Sequence, residues 1–230
     1  MNANGFEKLH GIDEMDEKQV LTLCRTAEWL TRQKLSGTIE LYRPVKVQTG
    51  RTPRQTGARR IRRTNVMKRI GILGAGTWGM ALARMLTVSG NDVLVWSAIE
   101  KEIDSLSTTR KHPNLPQMKI PDELRFTKSI EEVCKGKDIL LFAVPSVFVR
   151  STAAKARPYV ADGQIIVDVA KGIEPDTLYT MTEILADELG KEGGPKGVRL
   201  VALSGPTHAE EVAIDLPTTI VSASKDMEAA

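Results

Sequence analysis

Residues Arg69 to Trp96 read RIGILGAGTWGMALARMLTVSGNDVLVW, and the fold turns on how that run divides. Ile70, Ile72 and Leu73 form a short apolar run of the kind a buried parallel strand shows. Gly74, Gly76 and Gly79 follow at G-x-G-x-x-G spacing. Gly74 suits a tight turn out of the strand, Gly76 leaves room for a pyrophosphate against the backbone, and Gly79 lets a helix pack closely. Met80, Leu82, Ala83, Met85 and Leu86 supply the apolar side of that helix, and Gly90 marks its end. Val93 to Trp96 is the next apolar strand. The motif alone is weak evidence, but between a strand, a helix and a second strand it predicts a dinucleotide-binding turn. The helix would aim its free N–H groups and positive dipole end at the phosphates.

Outward from that unit, strands and helices alternate. A short strand is expected near Phe126, and Ser129–Glu132 reads as a capping box opening a brief helix that stops at Gly136. Asp138–Val144, DILLFAV, is the most apolar strand and ends in Pro145-Ser146. A helix is expected over Ser146–Tyr159 and a strand over Gln164–Ala170, which delivers Lys171-Gly172. A helix capped by Asp176 would run to Leu189, ended by Gly190. Arg199–Leu203 reads as a strand running into Ser204-Gly205-Pro206-Thr207, His208–Ala213 as a helical turn, and Thr218–Ser222 as a last strand. The chain then stops within the first turn of a further helix. The pattern predicts an α/β, Rossmann-type doubly wound and mainly parallel sheet.

The expected domains are an extension over 1–66 and a dinucleotide-binding domain over 67–230. The extension combines an amphipathic helix over 14–34 with a basic run. No acidic residue occurs from Leu41 to Asn91, while Arg51, Arg54, Arg59, Arg60, Arg62 and Arg63 crowd in. Such a run can be an arm for nucleic acid or anionic membrane, a solvated linker, or sequence upstream of a start at Met67. Nucleic acid is not the expected partner, because stacking aromatics are absent from the run.

The 230 residues carry a net charge of +3 and two cysteines, Cys24 and Cys134, far apart in sequence. That gives no disulfide framework and fits a reducing, cytoplasmic setting. The histidines His10, His112 and His208 are scattered and suggest no metal site. Apolar runs are too short for a membrane span, and the acidic N-terminus argues against a signal or transit peptide.

Three groups should meet at the carboxyl edge of the sheet: the glycine turn, Lys171-Gly172 and Ser204–Thr207. A lysine ammonium there can offset charge on a carbonyl oxygen or hold a substrate phosphate; alternatively it is a solvated strand-end lysine. Gly205-Pro206-Thr207 offers amides and a hydroxyl to an anion, or is a capped turn. His208 reads as a solvated or packed side chain, Asp168 as a satisfied carboxylate rather than a base. Trp78 either covers the cofactor or packs. After Trp96, Ser97 is a cofactor-binding candidate that serves NAD or NADP equally, and Glu100 sits slightly late for an acidic ribose partner.

Residues 68–225 resemble the N-terminal, cofactor-binding domain of the NAD(P)-dependent glycerol-3-phosphate dehydrogenases. The matching pieces are GAGTWGMALA at Gly74–Ala83, VPS at Val144–Ser146, AKGIE at Ala170–Glu174 and SGPTHAEEV at Ser204–Val212, then LPT at Leu216–Thr218. The resemblance implies interconversion of glycerol 3-phosphate and dihydroxyacetone phosphate with NAD(H) or NADP(H), in a protein that can be a homodimer. It places Thr77, Trp78 and Ala209 against the cofactor, Lys171 at both cofactor and substrate as the catalytic candidate, and Gly205 and Thr207 at the substrate end. Two departures stand out. Ala98 occupies a place that is basic in many bacterial members, and no match to the family's helical second domain, with its proton-accepting lysine, occurs before Ala230. The expected function is that dehydrogenase's cofactor-binding part, catalytically incomplete alone. The alternatives are a non-catalytic dinucleotide-sensing module with a basic arm and a related hydroxy-acid or ketone dehydrogenase.

Overall fold

Short apolar runs, too brief for helices and covered on both faces, make the centre of one seven-stranded sheet. A computed structural model describes residues 67–230. The helix expected over 14–34, the basic run up to Arg63 and the 1–66 extension lie outside the described residues. The strands are β1 (Arg69–Leu73), β2 (Asp92–Trp96), β3 (Arg125–Thr127), β4 (Ile139–Phe142), β5 (Ile165–Asp168), β6 (Arg199–Ser204) and β7 (Val221–Ser224). Their order across the sheet is β3-β2-β1-β4-β5-β6-β7. The first six are mutually parallel, and β7 runs antiparallel to β6. The strand order reverses between β1 and β4, which is where open α/β sheets form their ligand crevice. Leu73 lies opposite both Trp96 and Phe142, so β1, β2 and β4 end level and their turns open on one edge.

The helices are α1 (Thr77–Val88), α2 (Glu100–Thr109), α3 (Ile130–Cys134), α4 (Val149–Ala156), α5 (Met181–Leu189) and α6 (Ala209–Val212). Met80, Ala83, Ile103, Leu106 and Val212 bring α1, α2 and α6 into one apolar cluster. Val133, Val149, Ala153, Ile184 and Leu185 bring α3, α4 and α5 into a second. Two clusters, each drawing on the strands, give the doubly wound arrangement that the alternating pattern predicts.

Several local expectations are corrected. The segment Ser146–Tyr159 is not one helix: 3-10 turns at Ser146–Phe148 and Arg157–Tyr159 flank α4, and Pro158, which lacks an N–H, sits in the second. Asp176 does not cap α5. Thr180 does, in a reciprocal capping box with Glu183, while residues 173–180 fold into a loop closed by an Ile173–Thr180 bridge. Only half of the Ser129 capping box forms: Ser129 Oγ accepts the Glu132 N–H, but the Glu132 carboxylate accepts from Thr127. The last strand is β7, displaced toward the C-terminus from the expected Thr218–Ser222.

Candidate functional site

The turn between β1 and α1 is shaped by three glycines with three different surroundings. Gly74 adopts φ of +124°, and a Cβ there would lie 2.6 Å from the Ala143 carbonyl oxygen at the end of β4. At Gly79 a Cβ would lie 2.2 Å from the Gly74 carbonyl oxygen. Both positions therefore exclude a side chain, and α1 seats directly on the turn. Gly76 is the opposite case: a Cβ would meet nothing within 4 Å. It is exposed, it is the N-cap of α1 without a side-chain cap, and the first turn of α1 carries no acidic residue. Open space in front of uncapped amides, at the positive end of a 12-residue helix, fits a diphosphate. Thr77 opens that helix half-buried, and Trp78 packs against the first apolar cluster.

At the end of β2 the Ser97 hydroxyl is buried and engaged. It donates to Glu102 Oε2 at 2.6 Å and accepts the Ile99 N–H at 3.1 Å. Glu100 faces elsewhere, toward Lys128, which also pairs with Asp104. His112 is the residue that the sequence reading undervalued. Its ring is buried, with Nε2 3.3 Å from the Ala75 carbonyl oxygen inside the glycine turn. Nδ1 lies 3.3 Å from the Asn114 N–H and accepts it. The neutral ring protonated on Nε2 satisfies both contacts. Burial lowers the His112 pKa, against the opposing pull of the Ala75 carbonyl and of Glu102. A histidine some 35 residues beyond the turn carries no sequence sign of this contact; only the fold supplies it.

The ends of β4, β5 and β6 form the other half of the edge. Gly172, at φ of +152°, packs against Ser146, whose Cβ would be 2.9 Å from an added Cβ. Lys171 is exposed, and its Nζ donates to the Gly205 carbonyl oxygen at 3.1 Å. That contact brings together two of the three groups expected to converge. Gly205 itself is pressed against the returning chain, with a would-be Cβ 2.6 Å from the Thr219 carbonyl oxygen. Thr207, half-buried, donates its N–H back to Gly205. Ala209 begins α6 and packs on the first cluster, while His208 is exposed. Adjacent strands lie about 4.8 Å apart, so β1 and β6 are separated by roughly 14 Å of sheet edge.

Two ionisable groups flank Lys171. Asp168, at the end of β5, is buried, and burial pushes its carboxyl up to about 7, against the Ala170 N–H that it accepts. Glu174 is gripped by Nε and Nη2 of Arg150, each at 2.7 Å, and by the Thr177 hydroxyl, which hold its carboxyl down to about 2. Arg150 also reaches Asp187 and Glu188 on α5, and Glu188 binds Arg157 and Lys191. This network anchors the 173–180 loop that follows Lys171. Among the described residues no group of three or more His, Cys, Asp or Glu could hold a metal, and no helix is long and apolar enough to cross a membrane. Cys134 is buried, and burial pushes its thiol up to about 12.

Comparison with known proteins follows the same lines. Residues 69–230 match the family model described as NAD-dependent glycerol-3-phosphate dehydrogenase N-terminus. A glycerol-3-phosphate dehydrogenase [NAD(P)+] of Lactobacillus delbrueckii subsp. bulgaricus is 67% identical over 164 residues, 71% of this chain and 49% of the relative. One of Agathobacter rectalis is 46% identical over 165 residues, 71% of this chain and 47% of the relative. The crystal structure of a glycerol-3-phosphate dehydrogenase from Coxiella burnetii superposes with a TM-score of 0.61 at 30% identity, covering 70% of this chain and 48% of that one. The chain thus spans about half the length of the curated relatives it matches.

Proposed function

The chain belongs to the NAD-dependent glycerol-3-phosphate dehydrogenase family, and from that premise we propose that it is the dinucleotide-binding part of an enzyme interconverting glycerol 3-phosphate and dihydroxyacetone phosphate. The observation that carries this reading is the open, side-chain-free approach to Gly76 in front of the α1 amides. Gly74, Gly76, Thr77 and the start of α1 would hold the diphosphate, with Trp78 and Ala209 beside it. A nicotinamide dinucleotide held by its diphosphate at that turn would supply or accept the hydride.

Lys171 is the residue of this chain assigned to the chemistry. Its ammonium, held at Gly205, can orient the reacting oxygen and balance charge on it, and Thr207 can hydrogen-bond the substrate. Proton abstraction is left to the part of the relatives that this chain does not span. Val147, Phe148, Ile173 and Leu178 lie exposed beside the ends of β4 and β5, apolar surface of the kind a further domain covers. We place with this function a phosphorylated three-carbon substrate, a cytoplasmic location, a homodimeric full-length enzyme, and a domain starting near Met67.

The test is to assay the chain by itself for glycerol 3-phosphate-dependent reduction of NAD or NADP. Turnover at background, with NADH binding retained, is expected. Robust turnover would contradict the assignment of proton abstraction to a second domain.

A further inference from the structure

The end of β2 is where a dinucleotide-binding sheet reads the adenosine ribose: a carboxylate bonds the free hydroxyls, whereas a basic group accommodates a 2′-phosphate. The chain places neither there in sequence, because Ser97 and Ala98 follow Trp96. The fold supplies what the sequence omits. The first turn of α2 carries two acids that part company. Glu100 faces Lys128, joined there by Asp104 one turn on. Glu102 comes back over the strand end, with Oε2 2.6 Å from Ser97 Oγ. The same hydroxyl accepts the Ile99 N–H, so the loop and the carboxylate are held as a unit. Glu102 is also close enough to His112 to favour that ring's charged form, and His112 touches Ala75 of the glycine turn. Ser97 and Glu102 are therefore bonded to each other at the ribose position, and His112 is bonded to the phosphate turn beside them. Ala98 is exposed and uncharged, and Lys128, at the end of the neighbouring strand β3, is engaged by Glu100 and Asp104.

We propose that Glu102, delivered by α2 through Ser97, is the carboxylate that reads the adenosine ribose and makes the chain favour NAD(H) over NADP(H). This rests on the reading that the β1–α1 turn binds a dinucleotide. A ribose with both hydroxyls free donates to the carboxylate. A 2′-phosphate brings further negative charge against it, while Lys128 nearby is already held by Glu100 and Asp104.

Calorimetric titration of the 230-residue chain with NADH and with NADPH tests the proposal. NADH is expected to bind at least about tenfold more tightly. Glu102→Gln keeps an acceptor for Ser97 Oγ and removes the charge, so it should bring the two affinities close to equal, mainly by strengthening NADPH; its melting temperature checks that α2 stays folded. Lys101→Ala should leave the ratio unchanged. Equal affinities in the parent chain, a ratio unmoved by Glu102→Gln, a Glu102→Gln loss that is the same for both cofactors, or a ratio set by Lys101 would each overturn the proposal. Failure of the parent chain to bind either cofactor would instead overturn the dinucleotide reading beneath it.

Discussion

Two turns at the same sheet edge are built by opposite means. The turn after β1 is fixed by backbone against backbone: Gly74 against Ala143, and Gly79 against the Gly74 carbonyl. The turn after β5 has one close contact of side chain on glycine, Ser146 on Gly172, and beyond it is held by charge: Arg150 holds Glu174, and through Asp187 and Glu188 it ties the following loop to α5. Steric fixation does not depend on pH or salt, a constancy that would suit the diphosphate cradle proposed for this turn. The charged clamp leaves Lys171 exposed at the head of a loop whose hold is adjustable. Under the proposed function, the difference is that between a site that positions a ligand and a site that presents a reactive group.

The contrast can be broken most severely at Gly79. Gly79→Ala places a Cβ against a carbonyl oxygen that cannot move without moving the turn, so a loss of about 4 kcal/mol or more in stability is expected. Urea unfolding measures it. A smaller effect is expected at Asp168. Its folded pKa, up to about 7, stands above the ordinary carboxylate value of 3.8. The folded state therefore keeps the proton longer than the unfolded chain does. Stability is greatest below about pH 4 as far as this group is concerned, and it falls as pH rises toward and through about 7. Asp168→Asn should abolish that decline and raise stability above neutral pH by up to a few kcal/mol, seen as a flattened pH profile of Tm. Smaller still is Glu174→Gln. The Glu174 pKa lies near 2, below its ordinary 4.5, so its contribution is present above about pH 4.5 and is lost as pH falls toward 2. Tm at pH 7 should drop by a few degrees, less in high salt, with faster hydrogen exchange confined to residues 173–180.

The same contrast governs what was legible beforehand. The glycine turn could be read because backbone crowding demands glycine at stated spacings, and the flanking strands advertise themselves as apolar runs. Lys171 could be placed at the edge because it follows such a run directly. Arg150, Glu174, Glu102 and His112 could not be placed, because each meets its partner only once helices and loops have packed. The Asp176 assignment passes over Thr180-Met181-Thr182-Glu183, a capping-box signature four residues on that the sequence does carry. The Arg150–Glu174 contact and the Ile173–Thr180 bridge, which make 173–180 a loop, decided for Thr180. The antiparallel direction of β7 likewise depends on a return past Gly205 that no periodicity marks.

The central claim is that a diphosphate lies against the bare backbone of Gly76. The direct measurement is calorimetric titration of NADH into the parent chain and into Gly76→Ala, with Tm recorded for both. Because an added Cβ at Gly76 meets no protein atom within 4 Å, Tm should be unchanged while NADH affinity falls at least about tenfold. Undiminished NADH affinity in Gly76→Ala, or no binding by the parent chain, would contradict the account.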